Sequence, residues 1–597
     1  MRLLEFYRYT IIVLILFICS SQLIAQRQYA TDSVLSKGEW YKIGITSEGV
    51  YKIDVNFLKS IGVNVANLNS SSIKLYGNGG AMLGETTNAS KIDDLTEDAI
   101  EMNDGGDGVF NNNDYFMFYS AGPDKWKYDS SQHRFYHQKN LYSDTCYYFI
   151  TIDSNGRRIN ELDNLSKLFN KSITTYNERV FHENDFENLL NSGKEWYGEY
   201  FNSQNTSQSF SINASNIDNT TAASINTSLV SRTIGGSSLF NISVNNQKAQ
   251  NIVFNDVTGN LIDQYALKIK SSNTFTPIGS NFNVSVQFNP GNSLAQGWLD
   301  WFEVFFRRGL WMDNSQMGFR DANTIGTGYT RFNISNTDNT TEVWDVTDEL
   351  HPVKQKTSIS GSQLFFINNT DSLKEYFAFK SSAYQTPIFL NKIANQNLHN
   401  VQPADYLIIT PNSFITAAQS LANFHKSYYG YTDIIAPVEQ IYNEFGGGNS
   451  CPAAIRDFIK MYFDKSSINA KQLKYVLLFG LGSFDSKNRV MINKNFIPCY
   501  ESDSSLNILS SYTSDDFYGI LKDGESINDS TSIQLDVAVG RLPVRTLDEA
   551  NNVVNKITAY HSNNSFGSWR NNISFLADNG EYNFFFNNAE QLSLIHI

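Results

Sequence analysis

Few residues in this chain could do covalent chemistry. Four cysteines occur in 597 residues, and Cys19 lies in an apolar amino-terminal run. Cys146, Cys451 and Cys499 remain, an odd and widely spaced set. That pattern makes no disulfide framework, and it lacks the clustered spacing of a zinc site. A nucleophilic thiol needs a base beside it. Cys451 opens a helical pattern, where a helix N-terminus lowers a thiol pKa, but Pro452 follows it directly. Neither Cys451 nor Cys499 is followed by a small-residue turn that would expose it. His425 and His561 lie inside helical patterns, so isolated buried thiols are expected and an internal Cys–His dyad is not. His182, His351 and His399 stand alone and read as structural.

The carboxylates offer a second chemistry. Asp485 follows KYVLLFGLGSF, Asp578 follows ISFLA, and Asp515-Asp516 form an acidic turn. Carboxylates at strand ends can orient a catalytic histidine, bind a cation or close a turn. The loop NDGGDGVFNNND (Asn103 to Asp114) fits part of a calcium-loop template. Asn103, Asp107 and Asp114 fall at ligand positions and Gly108 at the sharp turn. Gly105 supplies no side-chain oxygen, and a strand-like run follows, so an Asx-rich turn between strands competes with a calcium site. Calcium is the one cofactor in view. Gly480-Leu481-Gly482 is no dinucleotide fingerprint, because Asp485 stands where the third glycine belongs.

Two kinds of architecture must position these groups. From Val401 onward, continuous apolar runs alternate with helical patterns: DYLIIT, Thr432 to Ala436, KYVLLF, Leu535 to Val539 and Ile573 to Ala577. That alternation predicts a mostly parallel sheet covered by helices. The fourth run is expected to stop at Gly540-Arg541. Open sheets of this kind place their sites beyond the carboxyl ends of the strands. Upstream, short strands with Asn/Ser/Thr/Gly turns predict β-sandwich-like modules. GEWYKIGITSEGVYKI reads as a hairpin about Ser47-Glu48-Gly49. The aromatic islands Phe181–Phe201 and Gly297–Leu310 read as core or as a seat between domains. The expected divisions are a secretory signal over 1–25, β-rich regions over 26–175 and 176–400, and an incomplete α/β domain over 401–592. A formal net charge of -14 argues against nucleic acid.

DYLIIT, KYVLLFGLGSFDSKN, SDDFYG, VAVGRLPV and WRNNISFLAD together resemble the gingipain-type cysteine peptidase family. GEWYKIGITSEGVYKI, DGVFNNNDYFMFY and FHENDFENLLNSGKEWYGEYF resemble the amino-terminal region of the type IX secretion system sortases within it. The resemblance implies a caspase-like domain behind a β-rich region. It implies a Cys nucleophile, a base in a His-Gly pair, and an acidic partner for which Asp578 is the best match and Glu581 the next. It places the His and Cys downstream of Ile597, so that this chain by itself is expected to be inactive. Ser593 to Ile597 reads as a non-native tail, and His596 is not recruited as a base. The implied substrates are secreted proteins with C-terminal sorting signals, with outer-membrane secretion components as partners and a surface glycolipid as acceptor. A secreted gingipain-like endopeptidase and a non-catalytic adhesion or assembly module are the alternatives.

Overall fold

The computed structural model describes residues 27–87, 93–313, 316–381, 383–468, 472–528 and 534–595. The expected secretory signal, 1–25, and His596 lie outside them.

Three β-sandwiches precede the α/β unit. In the first, a sheet ordered Ile388–Ile393, Trp40–Ile45, Cys146–Ile152, Ile73–Gly77 and Thr96–Asp98 packs on Gly49–Asp54, Tyr115–Ser120 and Glu101–Asn103. Ile43, Ile53, Leu75, Phe116, Phe118 and Tyr148 fill the space between. Trp40–Ile45 and Gly49–Asp54 are both strands, as their alternation predicts, but they do not form a hairpin. Each joins a different sheet, because the inward residues of both are needed on opposite walls of one core. Asp54 then caps the short helix Val55–Ser60, its Oδ1 accepting from the Phe57 amide at 2.8 Å.

The second sandwich packs Thr175–Glu183, Gln296–Gly309, Ala223–Arg232 and Leu267–Phe275 on a four-stranded partner sheet. The aromatic island in Gln296–Gly309 works on both faces. Trp298, Phe302 and Phe306 are buried in hydrophobic clusters, Phe302 and Phe306 in the sandwich core, while Phe305 and Trp301 meet a separate hairpin, Lys125–Asp129 and Arg134–Gln138. The third sandwich is closed by Phe319, Phe332, Phe366 and Tyr376, whose rings pack within 4.8–6.3 Å of one another.

The α/β unit begins with β1 (Tyr406–Thr410), α1 (Ile415–Tyr429), β2 (Asp433–Pro437), α2 (Val438–Phe445) and α3 (Pro452–Ile468). It continues with β3 (Tyr475–Phe479), β4 (Ala538–Leu542), α4 (Leu547–Tyr560) and α5 (Gly580–Ile595). The sheet is parallel, ordered β2-β1-β3-β4. Leu407 and Ile409 face α2 and α3, and Ile408 and Leu477 face α1 and α4. Both faces are covered, which is why β1 and β3 read as unbroken apolar runs.

Two expectations about the strands are corrected. The fourth strand is Ala538–Leu542, not Leu535 to Val539. It runs through Gly540-Arg541, and Leu535 lies outside it, exposed. Arg541 can stay in the strand because each of its guanidinium nitrogens is hydrogen-bonded, as described below. The acidic turn before this strand runs into a 3-10 turn, Asp516–Gly519. The run Ile573 to Ala577 does not pair with β4. After α4 the chain passes through two 3-10 turns and continues without regular structure to α5. Ile573 and Leu576 are exposed.

The α/β unit is seated on the sandwiches by polar contacts. Lys42 donates to Asn443 Oδ1 at 3.2 Å and to the Gly448 carbonyl at 3.0 Å. The Gly193 amide donates to Glu501 at 2.9 Å. The buried Glu444 carboxylate accepts from Gln396, from the Leu398 amide and from His399, the last at 2.7 Å.

Candidate functional site

The face beyond the carboxyl ends of β1, β3 and β4 is the candidate site, and Arg541 is its centre. Its Nε and Nη2 donate to the two carboxylate oxygens of Asp515, each at 2.7 Å. Its Nη1 donates to the carbonyls of Gly480 (3.0 Å) and Ile497 (2.9 Å). Paired planar geometry of this kind is what a guanidinium provides and an ammonium does not. The acidic turn at Asp515 is thereby spent on holding the loop after β3 to the loop before β4. Tyr518 adds a hydrogen bond to the Pro498 carbonyl.

Gly480-Leu481-Gly482 has a steric reason. The Gly480 and Leu481 amides extend the ladder to Leu542 and Val544, each at 3.0 Å. A Cβ at Gly482 would stand 2.2 Å from Cys499 Sγ and 2.7 Å from the Ile497 carbonyl. The glycine lets the loop pass over the thiol. Asp485, fully buried, folds the next turn by accepting from the Lys487 amide at 3.3 Å and the Val490 amide at 2.6 Å.

The thiols are buried. Burial pushes Cys499 up to about 11, with Arg541 pulling the other way and Asp515 and Glu501 adding to the rise. Burial likewise raises Cys146 to about 11, and its Sγ lies 3.5 Å from Ser120 Oγ and from the Ile45 carbonyl. A thiol near 11 is almost wholly protonated at neutral pH and is a poor nucleophile. The described histidines turn to other groups. His425 pairs with Asp433 at 2.6 Å, His182 with Glu199 at 2.9 Å and His351 with Asp348 at 3.0 Å. His561 meets Tyr429 at 2.8 Å, and His133 meets Tyr128 at 3.3 Å.

Asp578 is exposed, in the irregular segment before α5, and accepts from the Gly580 amide at 3.0 Å. It stands at a helix start and is not brought to the face centred on Arg541 by any described hydrogen bond. In the upstream loop, Asp107 accepts from the Val109 amide at 2.8 Å and Asp114 from the Asn111 amide at 2.6 Å. Asn103 donates to Tyr115 at 2.9 Å. These are turn-closing bonds. Among the described residues, no group of three or more His, Cys, Asp or Glu side chains is gathered as a metal site.

One cluster has no forerunner in the sequence reading. His137, on the Arg134–Gln138 strand, lies between Glu183 (2.6 Å) and Glu303 (2.7 Å) and stacks on Phe181. Burial opposes its charge, but the two carboxylates outweigh burial and raise it to about 9. The signal available was the alternation in RFYHQ, which marks a strand with His137 on its inward face.

Residues 399–595, the α/β part of the chain, match the model of Peptidase family C25. The β-rich region followed by the parallel sheet is also the architecture of a solved relative. The chain is similar to dimeric latent PorU from Porphyromonas gingivalis, at 23% identity and a TM-score of 0.78, over 92% of this chain and 52% of that one. The chain thus spans about half of PorU's length. A structure described as a protease aligns at 13% identity over 27% of this chain and 28% of that chain, with a TM-score of 0.19, too low to carry an argument. No curated protein matches.

No described helix is long and apolar enough to cross a membrane, which says nothing of strands.

Proposed function

We propose that this chain is part of an exported cysteine-type endopeptidase and transpeptidase of the type IX secretion system. In this reading it removes C-terminal sorting signals from cargo proteins at the outer membrane and joins the new carboxyl end to a surface glycolipid. The observation that carries the reading is that likeness to PorU runs through all three sandwiches as well as the C25 segment. The chemistry is thiolate attack on the scissile carbonyl, with amide donors holding the oxyanion and an amine or water resolving the thioester. The proposal assigns the reactive Cys and the His of a His-Gly pair to the part of a PorU-length protein that this chain does not cover. The buried thiols of Cys146, Cys451 and Cys499 support that assignment. Asp578 remains its candidate for the acidic partner. The Arg541–Asp515 pair then serves as scaffold beside the site.

The test is disruption of the gene in its host, followed by mass spectrometry of cargo carboxyl termini. Cargo retaining its sorting signal, and complementation only by a gene encoding an intact Cys and His, is the expected result. Cargo trimmed normally in the disrupted strain refutes the proposal.

A further inference from the structure

One opening outside the α/β unit lies between the Lys125–Gln138 hairpin and the second sandwich. It is a cavity of about 560 Å³, within the size range of small-ligand sites. Two cross-strand rows make its floor. Lys270, Ser228, Trp301 and Glu183 are neighbours in register, and so are Ser272, Asn226, Glu303 and Phe181. Side chains two apart on a strand share a face, so both rows look toward the hairpin. The hairpin is the opposite wall. It is locked down by His137, whose ring lies between Glu183 and Glu303 and whose amide donates to Glu303 at 2.8 Å.

The lock is closed within the protein, whereas Lys270, Arg134 and Ser272 at the mouth are open to solvent. Lys270 and Arg134 line the cavity and have no ion pair or side-chain hydrogen bond among the described residues. The hydroxyl of Ser272 and the amide of Gln138 likewise have no described partner. The half-buried Trp301 lines the same space, with Lys270 Nζ 5.6 Å from the ring centroid. The chain carries 60 acidic against 46 basic residues, so two unpaired cations at one cavity run against its overall balance. An aromatic platform favours a flat, carbon-faced ring. Uncommitted hydroxyl and amide groups favour hydroxyl substituents, and free cations favour a negative charge.

We infer that this cavity binds a saccharide ring bearing a carboxylate or phosphate group, packed on Trp301 with its anionic group at Lys270 and Arg134. The inference needs only the cavity and is independent of the proposed peptidase activity. Saturation-transfer NMR and calorimetry on the whole chain, at pH 7, test it. The probes are glucuronate, galacturonate and glucose 6-phosphate, set against glucose, inorganic phosphate and hexaglutamate. Binding of at least one charged sugar, with saturation at its ring protons and affinity at least tenfold above glucose, is expected. Lys270→Ala and Trp301→Ala are each expected to weaken it at least tenfold while leaving the circular dichroism spectrum unchanged. Should either variant perturb that spectrum, the exposed double change Lys270→Ser and Arg134→Ser replaces it, with the same expected loss. Four results overturn the inference: no probe binds; phosphate binds as well as the sugars, which marks an anion patch; hexaglutamate binds better than they do, which marks an acidic-peptide groove; or the variants bind as wild type.

Discussion

Raising the pH should release the Lys125–Gln138 hairpin from the second sandwich, and His137 sets the window. The side chains of His137, Glu183 and Glu303 are only 5%, 12% and 3% exposed, so solvent screens their interaction little. A histidine raised from 6.5 to about 9 contributes about 3 kcal/mol to the folded arrangement. Its folded pKa is above its unfolded one. The contribution is therefore complete below about 6.5 and is lost as the pH rises through about 9. A loss of that size is a roughly hundredfold rise in the open population. Hydrogen exchange read by mass spectrometry on peptides covering 125–138, corrected for base-catalysed intrinsic exchange, reports it locally. Wild type should lose about a hundredfold in protection between pH 6 and pH 10. His137→Gln should be less protected at pH 6 and nearly flat over the same range. His399 is also raised to about 9, against burial, by its bonds to Asp93 and Glu444, but it holds a different contact, so a peptide-level readout separates the two. Parallel pH profiles for wild type and His137→Gln would refute the argument.

Three further outcomes follow from the geometry. Arg541→Ala removes the partner of Asp515 and leaves the Gly480 and Ile497 carbonyls unpaired; it should cost about 3–5 kcal/mol, and Arg541→Lys should recover little of that. Urea unfolding followed by proteolytic nicking within 475–545 checks both. Cys146, Cys451 and Cys499 should resist an aromatic disulfide reagent at pH 8 and react in guanidinium; labelling of the native chain within minutes would contradict their burial. His399→Ala leaves the Glu444 carboxylate buried with only amide donors and should loosen the seat of α2 on Gln396 and Leu398 by about 3 kcal/mol or more, read as faster exchange in 438–445, with Glu444→Gln in the same background partly restoring protection.

What was legible in this sequence is what depends on neighbours along the chain. DYLIIT and KYVLLF are strands because β1 and β3 are central and covered on both faces, so their composition needs no partner to be read. The strand β4 is an edge with alternating exposure. Its pattern is weaker, and the apolar Leu535 drew the expected strand three residues early. ISFLA has the composition of a buried strand but lies exposed, since composition states what a segment would suit and not whether a neighbour is there to cover it. The failed hairpin at Ser47-Glu48-Gly49 is similar: both strands were legible, but their assignment to separate sheets depends on Cys146–Ile152 and on Ile388–Ile393, far along the chain. The side chains show the same division. Arg541 and Asp515 were each visible as charged residues in turns, but their pairing spans 26 positions, and His137 meets Glu303 across 166. An ion pair leaves no periodic trace. It is the pairing that decides the chemistry, because a carboxylate already holding a guanidinium and two loops in place is not free to bind a cation or orient a base. The strand-end carboxylates therefore had to be sorted by their partners, and among the described residues that sorting leaves Asp578, which accepts from a backbone amide, and the exposed Asp516 with capacity for another group.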